Sequence, residues 1–365
     1  QIGFSVWFFF LATRLELVAA AAFGHTDYNG FPYVRQQGVG AALGFGLFVL
    51  WLARGQLGLA FRAAFQGASA DDDGEPMPYR AAMLGLLLGC AGLIAFVVAA
   101  GMSLTTALFY FAILLLMVIV VARLRAEVGL PTIEFYQVGG DEVLQRVAGT
   151  RHWSSGDLTM MSLLFWLTRT HRQFPMQNQV DSFRLGRRSE LSLRGLTGVI
   201  LLASAVGTVA AFWAMLHVTY QVGYESAKFR GPAVGAFGND PWQKLENWLQ
   251  APQPPDRGAL GAYLFGMAMA AFLALMRSRF VEWPFHPAGY LVSGCFGLMR
   301  LWMPMFVAWA IKALVLRYGG LRGYRAALPL FLGLVLGEFT AGFLRTVLDG
   351  AFGLYLPPES GIGGL

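Results

Sequence analysis

Long apolar runs separated by short polar stretches dominate the chain. Most of the runs carry few or no charges, and about 20 apolar residues are enough for an α-helix to cross the hydrocarbon core of a bilayer. The runs are Phe4–Phe23, Val39–Ala53 with a continuation to Phe61, Ala81–Met102, Leu104–Val121, Leu196–His217, Leu260–Met276 and Ala327–Val347. The pattern predicts an all-α polytopic membrane bundle of about eight spans plus one or two broken or re-entrant helices.

Two regions break this pattern. The run Leu158–Thr168 would rise only about 16 Å as a helix, about half of the hydrocarbon thickness. The region 284–317 is apolar but is interrupted by Pro284, Pro287 and several glycines. We expect a half-length helix over Ala288–Met299 there, followed by a helix over Leu301–Val315.

The basic residues predict which loops face the cytoplasm. Arginines concentrate in loop 54–80, in region 122–157 and in stretch 169–194, and cytoplasmic loops carry an excess of Lys and Arg. All three lie on one side only if the short run dips in and returns, or lies in the interface. We therefore predict one transmembrane domain over 1–365, with a cytoplasmic region at 122–194 that holds the short helix and an external loop or cap at 218–258.

Composition excludes several classes of protein. The chain is 56% hydrophobic and 13% charged, whereas a soluble domain has about 25% charged residues. The net charge of +6 lies mostly in loop arginines, so we expect no nucleic-acid partner. The expected partners are the lipid bilayer and either other membrane subunits or further copies of this chain.

Motifs for metal, cofactor or covalent chemistry are missing from the sequence. The two cysteines, Cys90 and Cys295, form no CxxC, and the five histidines show no HxxxH or HExxH spacing. No Walker loop and no GxSxG occurs. We expect no metal, no cofactor and no enzymatic activity.

The short run supplies the first group of candidate site residues. Asp157 is a good helix N-cap, and a helix that ends at membrane depth directs free N–H groups and a positive dipole end into the bundle. On this interpretation the residues near a cavity are Asp157, Arg169, His171, Arg172, Gln177 and Asn178. The alternative, an interfacial helix followed by a solvated basic loop, stays open.

Charges inside the predicted spans supply the second group. Glu338 and Arg345 are seven residues apart and share a helix face, and Glu338 lies near the predicted midplane. Arg14 and Glu16 lie inside the first run and point to different sides. Because a charge at that depth needs a partner or a water-filled cavity, Glu338 is a candidate for a coupling carboxylate. A structural ion pair between helices is the alternative.

Two functions fit these features. One is a secondary transporter for a small polar or peptide-like solute, with proton coupling through Glu338. The other is a non-catalytic membrane subunit or scaffold of a larger complex, in which the intramembrane charges are paired and dry. A polar, water-accessible cavity favours the first.

Three stretches carry a family resemblance. They are GMSLTTALFYFAILLLMVIVVARLRAEVGLP, GTRHWSSGDLTMMSLLFWLTRTHRQFPMQNQVDSFRL, and WPFHPAGYLVSG with the following LWMPMFVAWAIKALVLRYGGLRGYRAALPLFLGLVLGE. They resemble a family of uncharacterised bacterial polytopic membrane proteins, described as paired domains of unknown function and in part as oligopeptide-transporter-like. The resemblance implies a multi-pass protein of the bacterial inner membrane. It also implies further N-terminal spans, so we expect this chain, which begins with Gln1, to be part of a longer protein.

Overall fold

The computed structural model describes residues 1–27, 30–66, 74–129, 135, 139–171, 174–223, 238–295 and 298–352. Within these ranges the chain is helical and contains no strand. The helices are α1 (Ile2–Ala22), α2 (Val34–Leu52), α3 (Arg54–Phe65), α4 (Tyr79–Ala99), α5 (Leu104–Val128), α6 (Gly140–Ala148), α7 (Ser155–Leu163), α8 (Phe165–Thr168), α9 (Met176–Arg188), α10 (Leu193–Val222), α11 (Asp240–Gln250), α12 (Arg257–Arg279), α13 (Pro287–Ser293) and α14 (Leu298–Phe352). The fold divides into two compact units, Gln1–Leu298 and Met299–Leu365.

Six of the described helices are long and apolar enough to cross a membrane: α1, α4, α5, α10, α12 and residues Leu301–Leu348 of α14. The helices α2 and α3, bent by 57° at their junction, make a seventh if they count as one span. This agrees with the predicted all-α polytopic bundle. The second predicted run continues as helix past Ala53, as expected. The helix bends at that point.

Helices α2 and α12 form the closest pair of the first unit because small residues face each other. A Cβ added to Gly40 would lie 2.0 Å from the carbonyl oxygen of Tyr263. A Cβ added to Gly266 would lie 2.0 Å from the carbonyl oxygen of Gln37. Glycine lets two backbones approach in this way, and the two parallel helices bring their N-terminal ends together.

The half-length helix predicted over Ala288–Met299 is present as α13, but it is shorter. His286 caps it, because its Nδ1 accepts a hydrogen bond of 3.0 Å from the backbone N–H of Ala288. The hydroxyl of Ser5 on α1 accepts a bond of 2.7 Å from the N–H of His286. Every residue of α13 is buried, so this short helix lies within protein, as non-spanning backbone at membrane depth must.

Contacts at the start and at the end of α5 define two opposite ends of the first unit. At its start, the N–H of Ser103 donates to Asp157 Oδ1 over 2.8 Å. Near its end, Arg125 Nε lies 2.9 Å from Asp181 Oδ2, and Glu127 Oε1 lies 3.3 Å from Arg277 Nη1. Twenty-five residues of helix separate these ends by about 37 Å, which is enough to place them on opposite sides of a bilayer.

Helices α4 and α10 bury little of their surface. Only 6% of the span window of α4 and none of that of α10 is buried. Their exposed side chains are mainly Leu, Val, Phe and Trp. Such surfaces are stable only against lipid or another apolar surface.

The second unit is built on α14, which breaks at Gly320, where φ is 56° and ψ is −160°. Residues on either side of the break meet, since Lys312 Nζ lies 5.2 Å from the centroid of the Tyr324 ring. The stretch 317–325, in which the break lies, is helical apart from Gly320. None of the residues from Leu301 to Leu348 is buried.

Candidate functional site

A charged pocket of about 640 Å³ lies where the N-terminal ends of α2 and α12 meet α6 and α11. Three carboxylates and three cationic side chains share its wall with polar and aromatic groups. The lining residues are Tyr33, Arg35, Asp141, Glu142, Gln145, Arg146, Thr150, Lys244, Trp248, Gln253, Pro254, Pro255 and Asp256. All of them belong to the first unit.

A chain of ion pairs crosses one side of the pocket. Glu142 on α6 pairs with Arg35 on α2 and accepts a hydrogen bond of 3.1 Å from Gln36 Nε2. Its Oε1 also lies 3.3 Å from Arg146 Nε one turn further along α6. Arg146 Nη1 in turn lies 2.7 Å from Asp256 Oδ2. The network ties α2, α6 and α12 together through charged groups that stay partly exposed to the pocket.

Asp256 holds the start of α12 in this network. Its Oδ1 accepts the N–H of Ala259 over 3.0 Å as the N-cap and the hydroxyl of Tyr33 over 3.3 Å. Burial, followed by the negative charge of Asp256, raises the pKa of Tyr33 above its ordinary value. Tyr33 therefore stays a neutral hydrogen-bond donor at physiological pH.

A second pair lies apart from that chain. Asp141 Oδ2 lies 3.9 Å from Lys244 Nζ, and the exposed fractions of these side chains are 3% and 29%. The ammonium of Lys244 also lies 4.4 Å from the centroid of the Phe165 ring. Asp141 Oδ1 has no hydrogen-bond partner among the described residues. This pair is looser than the Arg146–Asp256 pair.

Non-helical backbone closes the pocket. Thr150 Oγ1 accepts a hydrogen bond of 2.7 Å from the N–H of Gln253, and the N–H of Thr150 donates to the carbonyl of Gln253 over 3.0 Å. Gly149 has a φ of 76° and leaves no room for a Cβ, which would lie 2.7 Å from the Gln253 carbonyl oxygen. Arg151 Nε donates to the carbonyl of Pro252 over 3.1 Å.

These contacts constrain the topology predicted from charge. Arg146 and Arg151 contact residues 252–256, so region 122–157 and loop 218–258 meet at one end of the bundle. The stretch 122–194 reaches both ends, because Asp181 lies at the other end of α5. Residues 224–237 of the predicted external loop lie outside the described residues.

The run Leu158–Thr168 is divided between α7 and α8, which meet at Leu164. The run begins beside Ser103, and the hydroxyl of Tyr110 donates to the carbonyl of Leu164 over 3.4 Å. Tyr110 lies about 10 Å along α5 from Ser103. Helix α7 therefore enters from one end of the bundle and stops at about a third of the depth of α5, packed among buried side chains.

Asp157 is the third residue of α7, whose N-cap is Ser154, and it does not line the pocket. With Ser154 it forms a capping box, in which Ser154 Oγ accepts from the N–H of Asp157 over 3.1 Å. Burial works to raise the pKa of Asp157, but hydrogen bonds from Ser103, Ser154 and Thr106 outweigh it and lower the pKa. The N-cap predicted at Asp157 is therefore wrong by three positions: Ser154 is the N-cap, and Asp157 completes the capping box as a structural residue.

His171 and Gln177 form a buried pair between α8 and α9. His171 Nδ1 donates to the carbonyl of Phe135 over 3.1 Å, and Gln177 Nε2 donates to the carbonyl of His171 over 2.7 Å. Burial lowers the pKa of His171 to about 4. Asn178 is exposed, and Arg172 lies outside the described residues. His171, Gln177 and Asn178 do not line the charged pocket.

The predicted intramembrane charges are spread over the two units. Glu16 on α1 accepts a hydrogen bond of 3.3 Å from Gln37 Nε2, and the guanidinium of Arg14 lies 4.7 Å from the centroid of the Phe10 ring. Glu338 is exposed on α14, and Arg345 is half-buried there. Their roles in a pathway, or in an ion pair between helices, stay predictions.

Sequence reasoning missed the residues that build the pocket, above all Glu142, Lys244 and Asp256. They lie in segments that were predicted to be on opposite sides of the membrane, so the sequence offered no reason to expect them in one pocket. One signal was present: Glu142 and Arg146 are four residues apart, a spacing that pairs charges on a helix. Within the described residues no group of three or more His, Cys, Asp or Glu is placed to hold a metal ion.

Comparisons with known proteins give one match. No curated protein and no solved structure matches the chain. The match to a described family extends over residues 1–358. The chain belongs to this family, which is described as a family of unknown function, DUF6785.

Proposed function

We propose that this protein is a secondary transporter for a small polar or peptide-like solute, in a bacterial inner membrane. The observation that carries the proposal is the charged pocket lined by non-helical backbone among helices able to span a membrane. Ionisable groups within a membrane bundle commonly mark a substrate or ion pathway, and this pocket lies at the end of the bundle where such a pathway would open. The resemblance to oligopeptide-transporter-like proteins points in the same direction.

The size and charge of the pocket fit a zwitterionic solute. Pockets for small molecules usually measure about 300–1,000 Å³, and this one measures about 640 Å³. Its carboxylates and cationic groups are equal in number, so an ammonium group and a carboxylate of one solute both find partners. Short helices that end inside a bundle, as α6 and α7 do, are typical of transporter binding sites.

The distribution of arginines indicates which end of the bundle faces the cytoplasm. The arginine-rich stretch 169–194 and loop 54–80 belong on the cytoplasmic side by the positive-inside rule. The pocket lies at the opposite end of α5 from Asp181 and therefore opens outward. Solute would enter from the external side.

Uptake into liposomes tests the function. Purified protein is reconstituted, and uptake of radiolabelled dialanine is measured with and without an inward proton gradient. Glu142→Gln, which removes the central charge of the network, should lower uptake at least tenfold. Glu246→Gln is the matched control, because Glu246 is exposed on α11 and does not line the pocket. Equal uptake by protein-containing and empty liposomes would contradict the proposal.

Glu338 is the sequence-based candidate for the coupling carboxylate. Glu338→Gln should abolish the stimulation of uptake by the proton gradient if Glu338 carries the proton. Unchanged stimulation removes that role.

A non-catalytic subunit is the second candidate. It is favoured by the apolar surfaces of α4 and α10, which would contact other subunits instead of lipid. Gentle extraction from native membranes followed by cross-linking distinguishes the two functions. A stoichiometric partner on α10, together with no uptake, supports the subunit.

A further inference from the structure

The pair formed by Asp141 and Lys244 differs from the other ion pairs of the pocket. Arg146 and Asp256 are joined at hydrogen-bond distance, 2.7 Å, whereas Lys244 Nζ and Asp141 Oδ2 are 3.9 Å apart. Among the residues that the structure describes, Lys244 makes contact with this carboxylate and with the Phe165 ring and makes no hydrogen bond. Its ammonium therefore has donors to offer a ligand.

The two partners are unequally accessible. Lys244 keeps 29% of its side chain exposed and lies in the pocket wall, while Asp141 keeps 3%. An incoming anion reaches the lysine first. A carboxylate that approaches Lys244 to about 2.8 Å forms a charge-assisted hydrogen bond stronger than the existing contact. Ligand binding thus competes directly with Asp141 for the same ammonium.

When a ligand draws the Lys244 ammonium away, Asp141, a buried carboxylate in the first turn of α6, loses its nearest cationic partner. Its Oδ1 already lacks a hydrogen-bond partner among the described residues. The titratable groups that face it are Lys244 from α11, Tyr110 from α5, which interacts with it electrostatically, and Glu142 beside it on α6. Arg35 and Arg146 are engaged with Glu142 and Asp256. A buried carboxylate in such surroundings is relieved by taking up a proton.

We infer that Lys244 binds the carboxylate of the transported solute and that Asp141 then takes up the coupling proton. The inference rests on the proposed transport function and assigns to Asp141 the proton that the sequence suggested for Glu338. The proton passes from pocket water to an oxygen of Asp141, while the lysine and the solute carboxylate keep their charges. An anionic solute therefore crosses without net charge, and a zwitterion crosses with one positive charge.

Three matched probes test the carboxylate requirement on the full chain in detergent. Dialanine carries both charged groups, N-acetylalanine carries only the carboxylate, and dialaninamide carries only the ammonium. Calorimetric titration should detect dialanine and N-acetylalanine, with dialaninamide bound at least tenfold more weakly. Lys244→Met should lose at least tenfold in affinity for dialanine, and Lys244→Arg should recover most of it. Glu246→Gln should bind as the wild type does.

Measurement of proton uptake tests the role proposed for Asp141. A pH indicator in weak buffer at pH 7 should record about one proton taken up for each dialanine bound. Asp141→Asn, which lacks the competing charge, should bind dialanine at least as tightly as the wild type and take up no proton, whereas Glu338→Gln should behave as the wild type. If Asp141→Asn does not fold, the wild-type proton count decides, and a count of zero overturns the inference.

The outcomes separate the inference from the function on which it rests. Transport of dialaninamide at the rate of dialanine, or full proton uptake by a folded Asp141→Asn, overturns the inference and leaves the transporter proposal standing. Failure of every carboxylate probe to bind or to be transported counts against both.

Discussion

Arg146 and Asp256 are joined twice, once through their side chains and once through the backbone. Arg146 Nη1 lies 2.7 Å from Asp256 Oδ2, and the carbonyl of Arg146 accepts the N–H of Asp256 over 2.8 Å. This double contact fixes the end of α6 against the start of α12. The pocket depends on that junction, because both residues lie in its wall.

Substitutions of Asp256 should weaken the junction between α6 and α12, and two variants separate its capping role from its charge. Asp256→Ala loses the N-cap of α12 and the partner of Arg146, and it should lower the free energy of unfolding by about 2–3 kcal/mol. Asp256→Asn keeps a capping oxygen and loses the charge, so about half of that loss is expected. Thermal unfolding of the purified variants in one detergent measures both. Equal stability of the alanine variant and the wild type would contradict the capping role.

Stability should fall between pH 7 and pH 5 because of His171. Burial lowers its pKa to about 4 in the folded protein, whereas an unfolded histidine titrates near 6.5. Below about pH 6.5 His171 binds a proton in the unfolded chain but not in the folded chain. The stability contributed by neutral His171 is therefore complete above pH 7 and is lost progressively down to about pH 4.

The expected loss from His171 is about 2 kcal/mol at pH 5. Denaturation midpoints of the wild type and of His171→Asn, measured from pH 8 to pH 5, check it. Asparagine can still donate to the carbonyl of Phe135 but does not titrate, so its stability should change less with pH. Parallel pH profiles for the two proteins would exclude this role.

The closeness of α2 and α12 makes Gly40 intolerant of a side chain. A methyl group there would lie 2.0 Å from the carbonyl oxygen of Tyr263, and relief requires the helices to separate. Gly40→Ala should cost about 3 kcal/mol or more. Gly85→Ala is the control, since nothing lies within 4 Å of an added Cβ on α4, and it should change stability by less than about 1 kcal/mol.

Cysteine labelling should place residues 151 and 253 on one side of the membrane and residue 187 on the other. In a background with Cys90 and Cys295 replaced by Ala, Arg151→Cys and Gln253→Cys should react with a membrane-impermeant maleimide from the same side. Arg187→Cys should react from the opposite side. Labelling of all three from one side would show that α5 does not span the membrane.

Much of the fold follows from the sequence alone. Apolar length predicted the helices that became α1, α4, α5, α10 and α12, because lipid-exposed backbone must satisfy its hydrogen bonds within the helix. The broken character of 284–317 also follows from local signals, since proline and glycine act on their immediate neighbours. The start of α7 was predicted only approximately, because the N-cap is Ser154 and the predicted Asp157 is the N3 residue of the capping box. The ends of the helices differ from the predictions by a few residues.

The pocket needed the tertiary structure. Arg35, Glu142, Lys244 and Asp256 are separated by up to 221 positions in the chain, and an ion pair depends on distance in space. Charge counting placed region 122–157 and loop 218–258 on opposite sides, whereas the bonds between Thr150 and Gln253 hold them together. Hydropathy thus determined which segments can enter a membrane. Which polar ends meet was decided by the close packing of α2 on α12 and by short helices folding back into the bundle.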